Sequence, residues 1–307
     1  VLSYVRLWYR AELESGRHGL DYLGSPLRGA LGAALKRGVC VVGHGVCARC
    51  AVREACLYPR IFEGAPPLHP HVQRRYTAAP QPFALDVAAP GQWRGGPRDL
   101  LWGVTLFGQA IHAWPIIHEA FVQAGRRGLG RRRTPYRILE VRDGTSGLAL
   151  WRSDGQPLRP PALACVGAGD RCGLTCDRVR IRLCTPVHLR RDGRTALDVD
   201  GPLLVASARR RWRLMRAFHS DAHDWTQPPP PQPDLSAFRT VRTDLRFWRI
   251  DRYSSRQKRK VPLCGVVGEI VVEGPWETEQ EALRAVETVH LGKHATFGLG
   301  RVEVEAA

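Results

Sequence analysis

The chain has 307 residues, 44% of them apolar, enough for two domains of ordinary size with a core in each. Lys plus Arg number 46 against 29 Asp plus Glu, a formal net charge of +17, and most of these cations are Arg, whose planar fork suits phosphate. With no apolar run near the ~20 residues that cross a bilayer and no signal-peptide pattern, a membrane role is disfavoured and the cytoplasm is the expected compartment. The clustered charge makes an anionic polymer, RNA or DNA, the expected partner.

In chain order, Val5, Leu7 and Tyr9 alternate with Arg6, Trp8 and Arg10, which predicts an opening strand. Ser25 as N-cap and Pro26 at the first helical position predict a helix to about Arg37. A cysteine- and proline-rich insertion follows, about 39–80. Strands are expected at Phe83–Ala88 and Leu100–Phe107, then a helix over Gln109–Ala124 with Ala110, Trp114, Ile117 and Phe121 on one stripe. Pro115 should kink this helix or mark its true start. The turn Gly128-Leu129-Gly130-Arg131 leads to a strand at Tyr136–Val141.

The second half repeats the order. A strand is expected at Val179–Leu189, a helix at Pro202–His219, strands at Leu245–Ile250 and Cys264–Val272, and a helix at Thr278–His290. The turn Gly298-Leu299-Gly300-Arg301 repeats the earlier string before a last strand, Arg301–Glu305. The Gly- and Pro-rich stretch from Asp143 to Arg171 holds the boundary, and the proline run 227–233 is a stiff surface connection. The expected fold is α+β: two tandem ferredoxin-like (β-α-β-β-α-β, RRM-like) domains, 1–150 and 151–307. The first carries the Cys-rich insertion and the second the glycine-rich loop.

Nine cysteines without an export signal point to metal rather than disulfides. Cys40, Cys47, Cys50 and Cys56 form C-x6-C-x2-C-x5-C, a set that can close on a structural Zn²⁺, with an iron–sulfur cluster as the alternative. Four thiolates leave no open position for catalysis. Cys165, Cys172, Cys176 and Cys184 form a looser set, and Cys264 is expected in the core. Three basic regions stand out. Arg249, Arg252, Arg256, Lys258, Arg259 and Lys260 read as a hairpin that grips RNA phosphates. Arg209, Arg210, Arg211, Arg213 and Arg216 form a helix face, and Arg126, Arg127, Arg131, Arg132 and Arg133 flank the first glycine turn.

Four stretches together resemble a known family: Leu27-Arg28-Gly29-Ala30-Leu31-Gly32 with its cysteines, Leu106-Phe107-Gly108, Arg252-Tyr253-Ser254-Ser255-Arg256-Gln257, and His290 through Gly300. The sequence resembles the CRISPR precursor-RNA processing endoribonucleases of the RAMP superfamily, in the branch with a cysteine cluster after its first helix. The resemblance implies binding of CRISPR repeat RNA, and cleavage without a metal by attack of a ribose 2′-hydroxyl on the adjacent phosphorus. The products would be a 2′,3′-cyclic phosphate and a 5′-hydroxyl. It also implies that the protein keeps the guide RNA as a subunit of an interference complex with other CRISPR proteins.

That reaction needs in-line geometry, a proton acceptor and stabilisation of the phosphorane oxygens. Lys293, beside the glycine turn, is the expected phosphate-stabilising group. His290 is a candidate base, with a packed helix-end residue as its other reading. The family's usual catalytic His lies near the first helix, which here offers His18 and His44. Tyr253 and Ser254 could hydrogen-bond a reacting oxygen, although Tyr253 also reads as a packed hairpin residue. Arg28, Ser254, Gln257, His294, Gly298, Gly300 and Arg301 complete the expected RNA contacts. Two readings compete: a non-catalytic RAMP-type subunit that binds guide RNA, and a zinc-stabilised DNA-binding regulator, for which no finger or helix-turn-helix pattern is found.

Overall fold

The computed structural model describes residues 1–16, 20, 22–43, 46–64, 66, 72, 74, 76–89, 92, 94–155, 157–167, 177–220, 234–254 and 259–307, with only the backbone at 253 and 254. The chain is mixed α+β with antiparallel sheets. It divides into two compact units, one of Leu2–Cys165 with Ala217–Thr226, the other of Val166–Arg216 and Gln227–Ala307 with Val1. Among the described residues, no helix is long and apolar enough to cross a membrane.

In the first unit, β1 (Leu2–Leu13) buries Val5, Leu7, Tyr9, Ala11 and Leu13 on one face, as its alternation predicts. The helix α1 (Gly24–Val39) buries Leu27, Leu31 and Leu35, one stripe at four-residue spacing. It begins earlier than Ser25 suggests: the Leu27 N–H donates to Leu23 O at 2.9 Å, so Leu23 takes the cap position and no side chain caps. Pro26 then lies in the first turn, where its missing N–H costs nothing. The strands β2 (Phe83–Asp86) and β3 (Asp99–Phe107) follow. Pro115 marks a start rather than a kink. A 3₁₀ stretch (Gly108–Ala113) precedes α2 (Trp114–Arg127), and Pro115 sits in that helix's first turn. β4 (Tyr136–Asp143), β5 (Ala149–Arg152) and β6 (Ala164–Val166) complete the sheet, whose order is β2-β3-β1-β4-β5 with β6 also against β1. Pairing places Tyr9 opposite Trp102, and the two rings stack at 5.1 Å. The last two strands were not foreseen, and they carry this sheet past residue 150.

In the second unit, β7 (Arg178–Val187) leads to a short hairpin, β8 (Arg190–Arg191) and β9 (Arg194–Thr195). Its turn, Asp192-Gly193, has φ of 51° and 78°, the left-handed pair that a two-residue hairpin loop uses. Then come α3 (Gly201–His219), β10 (Arg239–Ser254), β11 (Arg259–Glu273), α4 (Gln280–Val289) and β12 (Val302–Ala306). The sheet order is β10-β11-β7-β12. In each unit, therefore, the strand after the first helix lies at an edge and the first strand lies inside the sheet, β1 between β3 and β4 and β7 between β11 and β12. Ile181, Leu183, Ile270, Val272, Leu283 and Val286 fill this unit's core.

Candidate nucleic-acid interface

The loop from α4 to β12 is fastened tightly. Leu299 is fully buried between Gly298 and Gly300, whose φ values are 80° and 84°. The Leu291 N–H donates to Gly300 O (2.7 Å), the Gly300 N–H to Pro186 O (3.0 Å) and the Arg301 N–H to Thr185 Oγ1 (2.9 Å). A Cβ on Gly300 would stand 2.1 Å from Leu291 O, so only glycine fits. From α3, the Arg211 guanidinium donates to Val289 O (2.8 Å) and His290 O (3.2 Å), closing the end of α4. Its enclosure lowers its pKa to about 10, which leaves it charged at neutral pH.

His290 belongs to this frame. It has 0% exposure, and its Nδ1 lies 3.0 Å from Leu299 O, to which it can only donate. A base must reach substrate, so its packed reading fits the geometry and its reading as a base does not.

A different histidine stands on the open side. His188 leaves β7, is half-buried, and bridges to the loop through the Lys293 N–H, which donates to His188 O at 3.0 Å. Its Nδ1 is 3.0 Å from Cys264 O on β11 and 3.6 Å from the Cys264 thiol. The His294 ring meets it edge to face at 5.2 Å and meets Phe297 at 5.9 Å. The Arg252 guanidinium lies 4.5 Å above the Phe297 ring, which draws one cation of the long hairpin toward the loop. His294 and His290 hold positive φ, 71° and 62°, a backbone state that non-glycine residues adopt rarely and often near functional sites.

The electrostatics are one-sided. Lys293 is exposed, and its pKa is lowered by partial burial, then by Arg190 and Arg210. Burial likewise lowers the His188 pKa, opposed by the Cys264 carbonyl and reinforced by Lys293 and Arg190. Among the described residues, no carboxylate pairs with Lys293, Arg190 or Arg210. On the same sheet, by contrast, Arg178, Arg180 and Arg182 pair with Glu273, Glu269 and Glu303.

The remaining expected residues fall as follows. His18, His44, Arg256, Gln257 and Lys258 lie outside the described residues, as do Cys172 and Cys176. Tyr253 and Ser254 pair with Lys260 and Arg259 at the hairpin end. Arg249 forms an exposed ion pair with Asp251 at 3.2 Å. In the first unit, Arg28 lies over the Phe62 ring at 4.3 Å. Arg126, Arg127, Arg131, Arg132 and Arg133 are all exposed, without a carboxylate partner among the described residues. The first glycine turn repeats the later one: Gly128 and Gly130 have φ of 80° and 70°, and Leu129 is buried between them.

Cys40, Cys47, Cys50 and Cys56 line one cavity of about 330 Å³. They are not drawn together, since no group of three or more ligand-type side chains among the described residues is close enough to hold a metal. The Cys40 thiol instead faces Gly43 O. The insertion does not stand alone: Ile61 and Phe62 are buried, and Phe62 stacks on Phe83 of β2. Cys184 has its thiol pushed up to about 11, chiefly by burial, which makes it inert.

Residues 181–302, which contain the whole His188–Lys293–His294 arrangement, match the family model for the CRISPR-associated endoribonuclease Cas6. Residues 2–163 match the AF_1859_N model, an N-terminal domain. The second half of the chain is thus similar to the Cas6 endoribonuclease family. The chain's fold is similar to that of a Cas6 product complex, at 16% identity over 98% of this chain and 99% of that one, with a TM-score of 0.55. Thermus thermophilus Cas6 is similar at 17% identity over 99% of each chain, TM-score 0.50. A partial Cas6-RT-Cas1–Cas2 complex is similar at 12% identity over 100% of this chain and 46% of that one, TM-score 0.56. No curated protein sequence matches.

Proposed function

We propose that this chain is a CRISPR-processing nuclease of the RAMP superfamily, which binds the repeat of precursor CRISPR RNA and cuts it without a metal, leaving a 2′,3′-cyclic phosphate and a 5′-hydroxyl. The observation that carries the reading is the Cas6 match over 181–302, which encloses an exposed lysine and a histidine on a rigid glycine loop, with His188 bridged to that loop from the end of β7. Besides positioning and a proton acceptor, in-line attack needs a cation at the phosphorane. Lys293 supplies that cation, with Arg190 and Arg210 behind it. The two antiparallel sheets, with their shared strand order, are read as tandem ferredoxin-like domains, each presenting a glycine turn beside cations. The protein would keep the cut RNA and join other CRISPR proteins in the cytoplasm. One structurally similar protein is part of a Cas6-RT-Cas1–Cas2 complex, which supports partners of that kind.

The test is binding and cutting of the cognate repeat RNA beside the same sequence as duplex DNA. RNA cut at one position, with weak DNA binding, is expected. Tight RNA binding with no cutting would leave a guide-RNA-binding subunit instead, and preference for duplex DNA would remove the RNA reading altogether.

The Cys40, Cys47, Cys50 and Cys56 cavity is proposed to close on one structural Zn²⁺, with no part in the chemistry. Elemental analysis should give one zinc per chain, lost in a Cys47→Ser, Cys50→Ser variant along with part of its thermal stability. A metal-free chain of unchanged stability would contradict this.

A further inference from the structure

We infer that His188, on the strand β7 end beside the glycine loop, is the general base that takes the 2′-hydroxyl proton. The inference rests on the endoribonuclease reading above and names a residue for which the sequence offers no motif.

Three observations converge on it. First, the tautomer is set. A carbonyl only accepts, so the Nδ1 that lies 3.0 Å from Cys264 O must carry the hydrogen. Nε2 is then the lone-pair nitrogen, and it has no hydrogen-bond partner among the described residues. Second, the ring is held. β11 fixes Nδ1, the Lys293 N–H holds the His188 carbonyl, and the His294 ring abuts the imidazole edge to face at 5.2 Å. A catalytic base needs this kind of restraint. Third, the surroundings keep the ring neutral. The groups around it are the Cys264 carbonyl and thiol on β11, Lys293 and His294 on the loop, and Arg190 on β8. Burial and the two cations outweigh the carbonyl, so the base form persists to lower pH than for an ordinary His.

In the step so defined, Nε2 takes the 2′-OH proton and the 2′-oxygen bonds to the adjacent phosphorus. The P–O5′ bond breaks, and O5′ leaves as a hydroxyl with a proton from water. The histidinium then returns its proton to solvent. Lys293, carried on the same backbone bridge, faces the phosphorane oxygens.

The test uses the full chain, its cognate repeat RNA, and two variants. His188→Asn keeps an N–H that can reach Cys264 O but has no Nε2, and His188→Ala removes both. Single-turnover cutting should fall on the order of 10²–10⁴-fold in each, with RNA affinity unchanged, and added imidazole should restore part of the rate to His188→Ala. The wild-type rate should fall on acidification with a midpoint below about 6.5, because protonation removes the base. Wild-type cutting that survives in His188→Asn overturns the assignment and leaves the nuclease reading intact. Wild-type binding without cutting overturns both.

Discussion

At the residue scale, the two histidines that matter were legible to different degrees. Lys293 and His294 could be picked from the sequence because they adjoin a glycine pair. His290 could be too, but its phase with Val286 already allowed a packed residue, and its burial shows it is one. His188 was invisible. It sits alone at a strand end, and only the pairing of residues 188 and 293 brings it to the loop. Non-local pairing is what a single sequence does not display. His290→Ala should therefore act on stability rather than on a proton transfer step. Losing its hydrogen bond to Leu299 O and opening a void should cost about 1–3 kcal/mol in urea unfolding. Cutting measured on the folded fraction should remain, in contrast to the His188 variants.

At the scale of elements, hydrophobic period found the helices and inner strands, because each buries one face. It missed what backbone pairing alone supports. The hairpin β10–β11 runs from Arg239 to Ser254 and back from Arg259, well beyond the apolar stretches, since its outer residues are polar yet still pair. The β8–β9 hairpin had a signal in Asp192-Gly193 that apolar patterning does not register. The repeated Gly-Leu-Gly string was the clearest element-scale clue. In both copies the glycines have positive φ and the leucine is buried, so each string is a plug with two hinges. Gly128→Ala would put a Cβ 2.0 Å from Arg133 O, as close as the clash at Gly300. Each single substitution should lower stability by about 1–3 kcal/mol in thermal or urea unfolding. Gly300→Ala should also slow cutting, because its loop carries Lys293. Gly128→Ala should leave the chemical step alone.

For the whole molecule, the charge of +17 was readable at once, but which cations are available was not. Ion pairing sorts them. Arg178, Arg180 and Arg182 answer glutamates across their sheet, whereas the five arginines at the first glycine turn have no described carboxylate partner. Replacing Arg126, Arg127, Arg131, Arg132 and Arg133 with Gln should weaken RNA binding and flatten its salt dependence. Each lost phosphate contact lowers the slope of log Kobs against log salt by about 0.7. The same change at Arg178, Arg180 and Arg182 should leave that slope nearly unchanged. The packing of the Cys-rich insertion was not legible: Phe62, which anchors it to β2, gave no periodic signal.

In the proposed reaction this protein cuts repeat RNA by 2′-hydroxyl attack without a metal. The most direct test is the cleavage of cognate repeat RNA in excess EDTA, followed by analysis of both new ends. Cutting at one position with a 2′,3′-cyclic phosphate and a 5′-hydroxyl is the predicted result. A 3′-hydroxyl with a 5′-phosphate, or cutting only after a divalent metal is restored, would contradict it.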